Sequence, residues 1–411
     1  MKRYGSGYLY FVVLFSFLLA ACNKEPDIPT QTDQSGSNMS SSTLNKAIEG
    51  YSSLDHGIFD SVIVIASGLN QPRGLAFGPD LTLYVSESGT GGTISTVGQC
   101  EQVPPPVGPY LGGNNGSISR INWLLEKRRI ATGLPSTQNA PTVGSDKTSI
   151  GDVAFYRGEL YALLSGAGCS HGHPEIPNGI LKINRNGSWK LIADISSFLK
   201  SHPVVSPEED DFEPDGDLYS MLRLGNSLYF IESNHGELDR YDFETGKISR
   251  VADISATQGH IVPTALAYRN GFFYVGNLGT IPFPQGSSKI LKISRDGLSV
   301  TTFATGFTTI LGLTFDLFGN LYVLESSIGN AQPPFFFPNT GRIRRISAGN
   351  TGNITVVATG LNFPTAMTLG PDGNLYVSNN GFASSPGQGQ VLRVRIWPRI
   401  PFTINIIENM N

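Results

Sequence analysis

Most of the features that would declare a chemistry are missing from this sequence. Three cysteines and six histidines occur among 411 residues, and charged side chains make up only 15%. No stripe of Lys and Arg is present. With Lys2 and Arg3 set aside as part of a leader, 27 basic residues face 33 acidic ones, a net charge of −6. That balance excludes nucleic acid and anionic membrane surfaces as expected partners. There is no phosphate-binding glycine loop and no HExxH pattern, and nothing reads as the elbow of a serine hydrolase. No long stretch of 3.6-residue apolar period follows the first 21 residues, so a helical fold is not expected. The N-terminal apolar run, Tyr8 to Ala21, falls short of the ~20 residues a spanning helix needs.

What the N-terminus does have is a short basic start, that apolar run, and Leu19-Ala20-Ala21-Cys22. A charged start before a short apolar stretch reads as a secretory signal. The last four residues resemble the lipobox of bacterial lipoproteins, which implies cleavage before Cys22 and a lipid on its thiol. Residues 1–21 are then a signal peptide. Asn23-Lys24-Glu25 resembles the surface-export signal of Bacteroidetes lipoproteins. The expected location is an exported, membrane-anchored one, on the periplasmic side of the outer membrane or at the cell surface. Residues 22–55 are rich in Ser, Thr, Gln, Asn and Pro and bury too little apolar surface to order themselves. They read as a tether whose r.m.s. reach is roughly 30 Å.

From residue 56 to 398 one pattern recurs six times. GLAFGPDLTLYVSE (74–87), DVAFYRGELYALL (152–164), SMLRLGNSLYFIE (220–232), ALAYRNGFFYVGN (265–277), GLTFDLFGNLYVLE (312–325) and AMTLGPDGNLYVSN (366–379) each hold two short strands around a turn. A third strand follows each copy, such as GSISRIN (116–122) or GRIRRIS (341–347), and five copies have a fourth, such as TVVATGL (355–361). Short alternating segments bounded by Gly, Asp and Asn are strand and hairpin chemistry. Four antiparallel strands per repeat, at periods of ~40–50 residues, mark the blades of a β-propeller. The fold class is therefore all-β, a six-bladed propeller. The missing sixth fourth-strand is VIVIASGL (62–69), which would close the ring and cover its open edge. Residues 399–411 form a C-terminal tail.

The long segments are all second-to-third-strand loops (88–115, 166–178, 278–287, 327–340) or blade-to-blade crossings (135–148, 196–217). In an up-and-down blade these emerge on one face, and insertions collected on one face mark the working face. Cys100 and Cys169 fall in equivalent loops of adjacent blades, so a disulfide is expected between them.

The second strands end in Glu87, Leu164, Glu232, Asn277, Glu325 and Asn379. Five of these offer oxygen and are candidate binding groups at the channel mouth; such oxygens suit Ca²⁺, although strand-end acids also cap turns. The acidic run from Glu208 to Asp217 gives weaker Ca²⁺ candidates in Asp211, Glu213 and Asp215. Leu222 stands where an EF-hand needs Glu, so a solvated loop is the favoured reading. His171 and His173 are too few for a transition-metal site. His235 and His260 fall near the mouth and are candidate general bases. Tyr110, Phe283, Phe335, Phe336, Phe337, Phe363 and Phe382 lie in loops of the same face and suit a flat or hydrophobic ligand or a partner protein.

The segments GLNQPRGLAFGPD, YVGNLGTIPFPQG, ATGFTTILGLTFD and NFPTAMTLGPDGNLYVSNNG, with GSISRI and GQVLRV, resemble the ScyD/ScyE family of NHL-repeat-like propellers. The likeness runs from about Ile63 to Ile396 and includes non-repeat loops. It implies the fold and export, and brings no catalytic residues. The leading expectation is a binding module at the cell envelope, taking a small molecule or an envelope protein on the long-loop face. The alternative is a Ca²⁺-dependent propeller hydrolase, lactonase or lyase with its site at the channel mouth.

Overall fold

Local sequence dictates the hairpins. Asp, Asn and Gly at the turn positions supply left-handed backbone, as at Asn270 (φ 49°) and Gly271 (φ 85°) in the fourth repeat, which alternating β-branched and aromatic residues flank. The computed structural model describes residues 62–329 and 336–396. The expected leader, the tether with Cys22, Phe335 and the C-terminal tail lie outside these residues.

Six antiparallel sheets form the ring. Blade one holds β2 (Pro72–Phe77), β3 (Leu83–Glu87), β4 (Leu111–Ile121) and β5 (Lys127–Gln138), with β6 (Lys147–Thr148) added at its edge. Blade two holds β7 (Ile150–Tyr156), β8 (Glu159–Leu164), β9 (Gly179–Ile183) and β10 (Trp189–Asp194). Blade three holds β11 (Leu218–Leu224), β12 (Ser227–Glu232), β13 (Glu237–Asp242) and β14 (Lys247–Asp253). Blade four runs from β15 (Pro263–Arg269) through β16 (Phe272–Asn277) and β17 (Ser288–Ser294) to β18 (Val300–Phe307). Blade five runs from β19 (Ile310–Phe315) through β20 (Leu321–Glu325) and β21 (Gly341–Ser347) to β22 (Asn350–Leu361). Blade six takes β23 (Ala366–Leu369), β24 (Leu375–Asn379) and β25 (Gly389–Val394) from the end of the chain and β1 (Val62–Leu69) from its start. The closing strand is the expected one. β1 pairs antiparallel with β25 from Val62↔Val394 to Leu69↔Gly389.

The core is six layers between blades rather than one centre. Leu228 and Phe230 face blade two, whereas Tyr229 and Ile231 face blade four. Both sheet faces are buried, so β12 is buried along its whole length. Turns from first to second and from third to fourth strand span two to five residues and share one face. The opposite face carries the long loops and crossings, as the spacing anticipated.

One of those loops is more regular than expected. β4 begins at Leu111, not Gly116, and β5 runs on to Gln138, so this hairpin stands above the ring. Ile94 bridges Gly112 there. A Cβ on Gly92 would lie 1.8 Å from the Gly112 carbonyl oxygen, and only glycine permits that approach. The Cys100–Cys169 disulfide joins this loop to blade two across 69 residues of sequence. Closing a loop of that length is worth about 4 kcal/mol on a chain-entropy basis. Cys100→Ser is therefore expected to lower the urea midpoint by about that equivalent, and an equal midpoint for the oxidised parent and the variant would refute it.

Candidate functional site

The second residue in from the long-loop end of each innermost strand forms a ring around the axis. Pro72, Leu218, Pro263 and Ile310 pair with Glu87, Glu232, Asn277 and Glu325, and Ile150 pairs with Leu164. The next residues are Arg73, Gly151, Tyr219, Thr264 and Leu311, and all five line one cavity. Thr365 holds the matching place in blade six. Gly151 lets blade three come close: a Cβ there would lie 2.4 Å from the Leu218 carbonyl oxygen.

The cavity has a volume of about 220 Å³. An apolar cavity of about 150 Å³ holds benzene, so this one takes a small ring system. Its floor is Tyr219, which reaches across the axis and donates from its hydroxyl to the Thr365 carbonyl oxygen at 2.9 Å. Its roof is aromatic. Phe336 lies 5.1 Å from Phe283 and 5.2 Å from Phe382, ring to ring, and Phe363 completes this buried group. Phe283 and Phe363 hold left-handed backbone (φ 54° and 44°), a strained state that functional loops often store. Of the other aromatic residues expected here, Phe337 is partly exposed, and Tyr110 lies apart, donating to Glu213 Oε1 at 2.8 Å.

Three charged groups face this apolar space. Arg73 Nη2 contacts Asp146 Oδ2 at 2.7 Å and donates to the Lys147 carbonyl, and its Nε donates to Ser88 Oγ. Burial pulls Arg73 down, but the charges and hydrogen bonds of Asp146 and Tyr219 together outweigh it and raise the guanidinium. Asp146 Oδ1 has no hydrogen-bond partner. Asp217 accepts from Ser165 Oγ at 2.9 Å. Burial, and then the nearby charge of Glu213, push the Asp217 carboxyl up to about 7. A carboxylic acid that titrates near neutrality in a cleft is placed to give or take a proton.

The strand-end oxygens do a different job. Each of the five bonds the backbone of the crossing that enters its own blade. Glu87 accepts from Asn70 N, Glu232 from Asp217 N, Glu325 from Thr308 N and Asn379 from Asn362 N, while Asn277 Nδ2 donates to the Ile261 carbonyl. Two are also clamped by arginine, Glu87 by Arg129 and Glu325 by Arg342. Burial alone would raise Glu87, but its bonds from Arg129, Ser119 and Asn70 hold it below the ordinary value. None of the five lines the cavity. They stand one strand too far from the axis, and turn capping is the role their contacts show.

Asp211, Glu213 and Asp215 also part company. Asp211 meets His260 Nδ1 at 3.0 Å, Glu213 takes Tyr110, and Asp215 takes Lys200 Nζ at 2.7 Å and the Ser170 hydroxyl. His235 Nδ1 lies 3.2 Å from Glu232 Oε2. Burial lowers this histidine, but the charge and hydrogen bond of Glu232, with the charges of Glu237 and Asp211, together raise it to about 9. A ring held in its protonated form at neutral pH weighs against the general-base role expected of His235. Glu232, His235 and Glu237 have ligand atoms within 4.8 Å of one another, the one such group among the described residues. Both Glu237 oxygens, however, accept from Arg250, at 2.7 and 2.8 Å. That guanidinium already supplies the positive charge a metal would bring.

Gly168-Cys169-Ser170-His171-Gly172 does spell G-x-S-x-G, against the expectation that the motif is missing. Its context is not an elbow. Cys169–His171 is a single 3-10 turn, Ser170 is fully buried, and its hydroxyl donates to Asp215 Oδ2 at 2.7 Å. A serine shut in by a carboxylate has no route to a substrate.

No family model matches the chain, and no curated protein matches it. Solved structures do. A putative oxidoreductase (glucose dehydrogenase) from Thermus thermophilus is 15% identical, with a TM-score of 0.50 over 81% of this chain and 99% of that one. The calcium-binding protein regucalcin from Agrobacterium tumefaciens is 14% identical, with a TM-score of 0.48 over 80% and 92%. A streptogramin B lyase is 13% identical, with a TM-score of 0.43 over 81% and 97%. Identities this low speak to fold alone, and the fold on which sequence pattern and strand order agree is a six-bladed, four-stranded β-propeller.

Proposed function

We propose that this protein is an exported, lipid-anchored propeller of the ScyD/ScyE type. It takes up a small, largely apolar ring compound at the channel mouth, and Arg73, Asp146 and Asp217 recognise the polar end of that compound. The observation that supports this is the cavity itself: an aromatic roof over three convergent charged groups, one of them with an unbonded oxygen. Mostly apolar walls with a few placed polar groups are the usual make-up of a ligand site. Calorimetric titration with indole and phenol as probes tests it. Binding is expected for the parent and should weaken at least tenfold in Phe336→Ser; probes that bind neither protein, or both alike, overturn the reading.

A second reading, an enzyme, is favoured by Asp217 alone. With its proton retained to about 7, it would serve as a general acid below that pH and as a base above it. The same shift has a consequence for stability. The unfolded chain releases this proton near pH 3.9, whereas the folded one keeps it to about 7, so folding becomes less favourable as pH rises across that window. Asp217→Asn removes this loss. Its urea midpoint relative to the parent is expected to improve from about pH 5 to about pH 8. A difference that stays flat over that range would show that Asp217 titrates normally.

A further inference from the structure

The short-turn face is not uniformly polar. Leu81, Trp123, Leu124, Leu125, Leu298 and Leu317 all stand exposed at its hairpin tips, Trp123 at 84% and Leu317 at 87%. Four of the six belong to blade one and one each to blades four and five. Tips of blades two and three are instead polar, with Arg157, Arg185, Asn226 and Glu244 exposed. Blade six lies between blades five and one, and its outer strand exposes Ile63 and Val64.

Chain direction adds an independent observation. β1 is the fourth strand of its blade and so begins on the short-turn face, where Val62 pairs with Val394. The 39 residues between Cys22 and Val62 therefore join the domain in the apolar sector. An anchor at Cys22 would bring that sector to the membrane that holds it.

We infer that the short-turn face, over blades five, six and one, rests on a lipid bilayer with Trp123, Leu124 and Leu125 dipped into its interface. The inference rests on the lipid-anchored reading above. Tryptophan favours the bilayer interface because its ring is apolar and its N–H is polar, and exposed apolar clusters mark contact surfaces. Charge at these tips is mixed, with Arg128 and Arg295 exposed beside Asp80, Glu126 and Asp296. The contact then depends on apolar burial and not on lipid charge, in keeping with the lack of a basic stripe. The ligand cavity opens on the other face, away from the bilayer.

Three tryptophans make this testable: Trp123, Trp189 and Trp397. Trp189 is half-buried, packed between blades one and two. The full chain is reconstituted into phosphatidylcholine vesicles with plain or brominated acyl chains, and tryptophan emission is compared. Bromolipid is expected to quench the parent, to quench Trp397→Phe as strongly, and to lose its effect on Trp123→Phe, with no change on adding salt. No quenching in the parent means the tips face water or a protein partner, and overturns the inference. Quenching that survives in Trp123→Phe and vanishes in Trp397→Phe places the tail against lipid, and also overturns it. Mass spectrometry of Cys22 reads the anchor separately. An unmodified thiol there sinks the anchor reading, whereas an acylated thiol without quenching sinks the face.

Discussion

A chain that starts after Leu69 fails to fold. Those first described residues carry no candidate chemistry, yet they complete blade six. Removing β1 strips β25 of every pairing from Val62↔Val394 to Leu69↔Gly389. It also empties the layer between blades six and one, where Leu69 and Ile65 pack with Leu75, Leu83 and Val85. Truncating a single buried Leu or Ile costs about 2–5 kcal/mol, and an average domain has only about 5–15 kcal/mol in total. Losing the whole strand exceeds that reserve. Insoluble expression, or a far-ultraviolet spectrum without a cooperative melt, is the expected result, while a chain starting at residue 56 should melt as the parent does. Leu69→Ala is the graded version and is expected to cost about 2–5 kcal/mol. A soluble, cooperatively melting chain lacking residues 62–69 would show that the ring closes by other means.

Arg73→Ala is the second large effect. Arg73 and Asp146 expose only 11% and 16% of their side chains, 2.7 Å apart, and the arginine also holds the Lys147 carbonyl and Ser88. Breaking a buried pair by removing one partner costs about 3–5 kcal/mol, because the other charge stays behind uncompensated. Asp146→Ala should cost a comparable amount. The double variant should then lose less than the two single losses added together, since neither charge is stranded; a coupling of about 1.5 kcal/mol or more in a double-mutant cycle is expected. Strictly additive losses would mean that water already screens the pair. Replacing both by Met and Leu is the constructive counterpart, expected to recover most of the stability while abolishing recognition of a polar ligand end.

The fold was legible because its signals are local. A strand, a Gly- or Asn-centred turn and a second strand lie within about fourteen residues of each other, and six copies reinforce the reading. The sixth fourth-strand was recognisable at the far end of the chain for the same reason: VIVIASGL resembles its counterparts. The Cys100–Cys169 pairing followed from loop equivalence. The cavity was not legible in this way. Arg73, Asp146, Asp217, Phe283 and Phe336 are gathered only when the ring closes, and no spacing along the chain relates them. One signal was available. Gln71-Pro72-Arg73, Val262-Pro263-Thr264 and Phe363-Pro364-Thr365 open the first strands of three blades alike, and the residue after each proline sits at the axis. The more conspicuous acids at the ends of the second strands stand one strand further out.

The bar that Tyr219 lays across the axis sets how a guest can travel. A propeller bore is often imagined as a tunnel, but here Tyr219 of blade three is tied to Thr365 of blade six across it. A guest in the cavity would lie between that bar and the rings of Phe283, Phe336 and Phe382. Among the described residues those three rings cover the loop side, and the dwell time of a guest is expected to follow how readily they part.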